Sequence, residues 1–150
     1  MTAATLHDLT PADYASWMPL WRAYQTFYKA DIPADVSHVT WTRLLDADEP
    51  VFGALAVADG QAVGLAHWLM HRSTWSVADF CYLNDLFVVP DMRGRGIGRA
   101  LIEHVYDAAA ARNCTQVYWL THETNVTAQR LYDGIANRTG FIHFGKPLVP

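Results

Sequence analysis

At 150 residues, with 51% hydrophobic and 13% aromatic residues, the chain can bury one continuous core and is short for two domains. Its formal charge of −4 is unevenly spread: eleven acids face four bases before Arg93, and seven bases face four acids from Arg93 onward. This is not the broad basic surface of a nucleic-acid binder, and no apolar stretch reaches spanning length, so neither nucleic acid nor membrane is expected as a partner.

In chain order, residues 3–9 read as a first strand. Thr10-Pro11-Ala12-Asp13 reads as a helix start, with an N-cap, a proline at the first helical position and an acid in the first turn. Tyr14, Trp17, Met18, Trp21, Tyr24 and Tyr28 then recur at three- and four-residue steps, with Pro19 expected to kink or restart the helix. This aromatic stripe suits core packing, and some of its rings also suit a substrate mouth. A second short helix is predicted over residues 36–45. The period changes at Val51, where apolar runs over residues 51–58 and 62–70 flank Asp59-Gly60, a hairpin signal. Residues 78–89 form a longer strand, apolar on both sides and therefore central. Strict alternation puts Phe80, Tyr82, Asn84, Leu86 and Val88 on one face and Cys81, Leu83, Asp85, Phe87 and Val89 on the other. The amide of Asn84 and the carboxylate of Asp85 are costly to bury in mid-strand unless they are hydrogen-bonded or open onto a cleft, so both are candidates for a site.

Arg93-Gly94-Arg95-Gly96-Ile97-Gly98-Arg99 follows, and gathers three of the chain's eleven Lys and Arg residues with three glycines. Glycines let a backbone bend tightly and aim several N–H groups at one anion, and the helix predicted after them adds its free N-terminal N–H groups. The turn therefore reads as a polyphosphate cradle. It lacks the terminal Lys-Ser/Thr of a Walker A loop, and Arg99 stands where a dinucleotide fingerprint needs its third glycine. Ile97, Leu101, Val105 and Ala108 mark the apolar face of the helix, which is expected to stop at Asn113. A strand over residues 115–120 comes next. Thr124 or Asn125 then caps a helix carrying Ala128, Leu131, Tyr132 and Ile135, and Gly140 opens a last apolar stretch at residues 141–144. The order of elements predicts a mixed α/β fold with an antiparallel first half and a parallel crossover through the helix after the cradle. Cys81 and Cys114 have no Cys-x-x-Cys spacing, so no disulfide framework and no metal site are expected. The absence of a leader-like start points to a cytoplasmic protein.

These blocks resemble the GNAT superfamily of acyl-coenzyme A-dependent N-acetyltransferases. Residues 93–98 match its Gln/Arg-x-x-Gly-x-Gly/Ala loop. Asn125, Ala128 and Leu131-Tyr132 match its Asn-x-x-Ala-x-x-Leu/Phe-Tyr helix, so the resemblance covers about residues 80–141. Residues 82–88, Tyr-Leu-Asn-Asp-Leu-Phe-Val, look like the Tyr-Leu-Glu-Asp-Phe/Leu-Phe-Val strand of spermidine/spermine-type and related polyamine, amino-acid or histone acetyltransferases, except that Asn84 replaces the glutamate. The resemblance implies one domain over residues 1–150. Its mixed central sheet would have about six or seven strands, with splayed central strands and helices on both faces. The last strand would be short, absent or supplied by a partner in a homodimer.

For the site, the resemblance implies acetyl-CoA as co-substrate. Leu86, Phe87 and Val88 would offer backbone groups to the pantetheine arm. Arg93, Gly94, Arg95, Gly96, Ile97, Gly98 and Arg99 would hold the pyrophosphate, and Asn125 would touch the pantetheine or the start of the last helix. Tyr132 would be the general acid beside the thioester sulfur, a role that needs no unusual phenol pKa. Asn84 cannot act as a base, which leaves Asp85, Glu123 or a water ordered by Asn84 to accept the amine's proton. His67, His71 and His122 read as structural or exposed. The implied activity is acetylation of a small-molecule primary amine, polyamine-like or amino-acid-like. Acetylation of a peptide amine, at a protein lysine or N-terminus, is the alternative, as is a weakly catalytic acyl-CoA-binding module.

Overall fold

The computed structural model describes residues 3–149, which fall into two units, one through Tyr118 and one from Trp119 onward. The first unit is built on five strands, β1 (Thr5–Asp8), β2 (Val51–Ala58), β3 (Gln61–His71), β4 (Phe80–Val88) and β5 (Gln116–Tyr118), which lie side by side in that order. Neighbours from β1 to β4 are antiparallel, and β4 pairs with β5 in parallel. Asp59 and Gly60, with φ of 51° and 76°, make the left-handed turn that a two-residue hairpin requires.

The sheet is covered on both faces. Helix α1 (Tyr14–Phe27) and α2 (Ala34–Leu45) bring Trp17, Leu20, Trp21, Trp41 and Leu44 into one core with Leu55, Leu65 and Phe87. On the other face α3 (Ile97–Ala111) buries Ile97, Leu101, Ile102, Val105 and Ala109. Gly64, one residue from Leu65 and so on the opposite face, lies against Leu101 and Ile97. The buried alanine is Ala109 rather than the Ala108 that the heptad-like spacing selects. Asn113, at φ 62°, ends the α3 region in the left-handed conformation that asparagine tolerates. Pro19 lies inside α1 without ending it. The residue is exposed and forfeits one backbone N–H, while Trp17, Leu20 and Trp21 on the buried face keep the helix docked.

Two expectations are corrected. Among the described residues the sheet has five strands rather than six or seven. In the second unit residues 141–144 form no strand, and Phe141, Ile142 and Phe144 are exposed there. A pattern of apolar residues marks what a strand can bury and provides no partner edge to pair with. The second correction concerns β4. His67 pairs opposite Asp85, but the next residue, Trp68, pairs opposite Leu83, so Asn84 is an extra residue, a bulge. Because opposite residues share a face, the bulge reverses the alternation before it. Phe80 and Tyr82 therefore share the face of Asp85 and Phe87, and Cys81 and Leu83 turn to the face of Leu86 and Val88.

Candidate active site

The turn after β4 is shaped by two glycines. Gly94 and Gly96 have φ of 77° and 81°, where an L side chain is strained, although an added Cβ would touch nothing within 4 Å at either position. Gly96 is the N-cap of α3, and Ala100 N–H makes the first helical bond, to Gly96 O at 3.0 Å. The N–H groups of Ile97, Gly98 and Arg99 thus precede the helical ladder, and no side chain caps them. Gly98 lies within the first helical turn and Ile97 packs into the core. The three arginines differ. Arg93 donates from Nε to Val88 O at 2.9 Å, and its guanidinium stacks over Phe27 at 4.8 Å and Phe87 at 5.7 Å. Arg99 pairs with Glu103 at 2.9 Å, both exposed. Arg95 is exposed and has no intramolecular partner among the described residues.

Beside this turn one edge of β4 runs on alone. The pairing with β5 ends at Tyr82 and Tyr118, while β4 continues to Val88. Val89 N–H bonds Val63 O at 2.9 Å, so by the two-residue alternation of an antiparallel pair Phe87 and Asp85 also bond β3 through their backbone. Leu86 and Val88 therefore direct their N–H and C=O groups to the other side, and Phe87 does not.

Asp85 is the centre of a buried network. It is 9% exposed, and its Oδ2 accepts from His67 Nδ1 at 2.9 Å and from Asn84 Nδ2 at 3.2 Å. His67, 3% exposed, accepts at Nε2 from the indole N–H of the fully buried Trp17, at 2.9 Å. An indole nitrogen can only donate, so Nε2 bears no proton and Nδ1 carries it. Burial, and then the negative charge and hydrogen bonding of Asp85, push the Tyr24 phenol well above its ordinary range. Tyr28 and Tyr82 are pushed up in the same way, by burial first and the Asp85 charge second, with Arg93 opposing the rise at Tyr28. Three protonated hydroxyls thus lie within the field of one carboxylate. Asn84, at the bulge, is exposed.

Sequence reasoning selected Asp85 and Asn84 but read His67 as structural and Trp17 as core. The spacing of the aromatic stripe was visible. What was missing was the register that sets His67 opposite Asp85.

In the second unit Asn125 caps α4 (Val126–Asp133), its Oδ1 accepting from Ala128 N–H at 3.3 Å. Tyr132 is half-buried on α4, edge-on to Trp119 with ring centroids 5.3 Å apart. Among the described residues no three His, Cys, Asp or Glu side chains group so as to hold a metal ion, and no helix is long and apolar enough to cross a membrane.

A mixed sheet whose edge runs free beside a glycine turn at a helix start suits a phosphate-bearing ligand laid along that edge. The acetyltransferase (GNAT) family model matches residues 8–134, and the chain belongs to that family. The chain is similar to the D-amino-acid N-acetyltransferase HPA3 of Saccharomyces cerevisiae, 40% identical over 133 residues covering 87% of this chain and 83% of the relative. It is also similar to the aminoglycoside N(6')-acetyltransferase type 1 of Stenotrophomonas maltophilia, 30% identical with coverage of 99% and 97%. The solved structure of AAC(6')-Iy with the bisubstrate analogue CoA-S-monomethyl-acetylneamine superposes with a TM-score of 0.85. Its identity is 20%, over 97% of this chain and 99% of that one, and it shares the fold.

The chain is thus an N-acetyltransferase of this family, whose acetyl donor is acetyl-CoA. Uncapped N–H groups at the start of α3, left-handed glycines before them and the cationic Arg95 fit a pyrophosphate by their chemistry.

Proposed function

We propose that the chain transfers the acetyl group of acetyl-CoA to the primary amine of a small molecule, amino-acid-like or polyamine-like, by direct attack within one catalytic domain. The observation that supports this most strongly is the pairing of an anion-binding turn with a buried carboxylate on the strand before it. Residues 94–99 would hold the pyrophosphate, with Arg93 bracing the turn against β4. The backbone groups of Leu86 and Val88 would serve the pantetheine arm and the developing oxyanion. Asp85 would accept the proton or hydrogen bond of the incoming amine, with Asn84 beside it ordering a water. Tyr132 would donate to the leaving thiolate, and Asn125, which caps α4, would touch the pantetheine or the start of that helix. An acidic first 92 residues and a carboxylate ringed by hydroxyls favour a cationic acceptor. The relatives named for D-amino acids and for aminoglycosides agree with a small amine.

Thiol release from acetyl-CoA across a panel of putrescine, spermidine, D- and L-amino acids, an aminoglycoside and a lysine peptide tests the reading. Turnover of a small amine well above the peptide is the expected result. No turnover with any amine, together with tight acetyl-CoA binding, would favour an acyl-CoA-binding module, the second reading, which Asn84 in place of the glutamate base supports. Tyr132→Phe is expected to lower kcat far more than it weakens acetyl-CoA binding. Unchanged kcat would remove Tyr132 from the acid role.

A further inference from the structure

The chain Trp17 to His67 to Asp85 crosses three elements that meet in the core, α1, β3 and β4, and all three of its side chains are buried. Histidine is ordinarily the side chain whose charge changes near neutral pH. Here both ring nitrogens are committed. Nδ1–H donates to Asp85 Oδ2 at 2.9 Å, and Nε2 accepts from Trp17 Nε1 at 2.9 Å. A proton added at Nε2 would set two N–H groups against each other and leave a buried indole donor unpaired, which is unfavourable in a water-free core. The ring has little room to escape. It packs against Trp17 and Trp21 with centroids 5.9 and 5.1 Å away, and an atom added at Gly53, opposite it on β2, would lie 3.1 Å from its Cδ2. Among the described residues, the charged group it contacts is Asp85 on β4. From α1 the facing groups are the two neutral indoles, with Tyr24 reached through the carboxylate, and from β2 the facing residue is Gly53.

We infer that Trp17 and His67 are positioning residues. Trp17 locks His67 in the neutral Nδ1–H tautomer, and the locked ring holds Asp85 immobile for the acceptor amine. The inference rests on the acceptor role proposed for Asp85. The lock has a specific purpose: if the ring were free at Nε2, it could become an imidazolium, and its positive charge would occupy the carboxylate that the amine needs. By this reading β4 carries the group that meets the acceptor, and α1 sets its protonation environment from behind.

Nitrogen-15 NMR of the wild-type protein labelled at histidine tests the lock without any variant. His67 should show the neutral Nδ1–H pattern throughout pH 5.5 to 8, roughly the window in which a free imidazole changes charge. An Nε2–H tautomer, or a His67 signal that titrates in that window, overturns the inference. Kinetics provide a second arm. Trp17→Phe keeps an aromatic ring and removes the donor, so its kcat/KM relative to wild type, on the amine turned over fastest in the panel, should fall severalfold from pH 7.5 to 5.5. Taking the ratio at each pH cancels the amine's own ionisation. A ratio that stays flat in a folded variant overturns the lock, and if the variant does not fold the NMR decides. Asp85→Asn separates the two layers. Wild-type turnover in that variant removes the acceptor role on which the lock rests, whereas a titrating His67 removes the lock and leaves that role standing.

Discussion

The turn at residues 93–99 and the network around Asp85 lie within fifteen residues of each other, yet they are made in opposite ways. The turn is exposed and works through backbone: two left-handed glycines and the free N–H groups of a helix start. The network is buried and works through side chains brought together from positions 50 and 18 residues apart. A backbone site tolerates exchange of most of its side chains and depends on its φ angles. A side-chain site fails member by member, because each loss leaves a buried partner unpaired.

The largest effect expected is therefore on the buried side. Asp85→Asn should lower kcat/KM for the amine by about 10²–10⁴-fold, the span of a lost proton-transfer group, with the KM for acetyl-CoA little changed. If acetyl-CoA binding falls equally, the two regions do not divide donor from acceptor. Gly96→Ala should act in the opposite sense. No neighbour obstructs the methyl, so the cost is the left-handed backbone alone, about 1–2 kcal/mol, which is roughly a five- to thirtyfold rise in acetyl-CoA KM. The amine KM should stay near wild type. A clean protein with wild-type acetyl-CoA KM would show that the φ of Gly96 is not what binds. The smallest effects separate the arginines. Arg95→Gln should weaken acetyl-CoA severalfold, and the loss should shrink at high salt. Arg99→Gln should do less, since its charge is already shared with Glu103 in an exposed pair worth about 0–1 kcal/mol. Equal losses at the two positions would make the turn a diffuse positive patch rather than a shaped one.

The same contrast explains what could be read from the sequence. Asp59-Gly60, Asn113, the Gly94 and Gly96 turn and the Asn125 cap all act through local backbone conformation, and each does locally what its residue type announces. The faces of β4 were misread because the extra residue at Asn84 leaves no mark in the pattern of apolar residues. Only the pairing with β3 reveals it. His67 is a buried histidine inside an apolar strand, and its two partners are a tryptophan from an earlier helix and a carboxylate from the next strand. No spacing rule connects the three. Residues 141–144 failed as a strand for a related reason, since a strand needs an edge as well as an apolar sequence.

The edge of β4 has a consequence for exchange with solvent. Within four consecutive residues, the amides of Asp85 and Phe87 are tied into β3 while those of Leu86 and Val88 point past the end of β5. Deuterium should enter this one strand at two rates, slow and fast in alternation, the slow sites opening only with the sheet. A ligand that lies along the edge would slow the fast pair and leave the slow pair unaltered. The strand would then report its own occupancy, residue by residue.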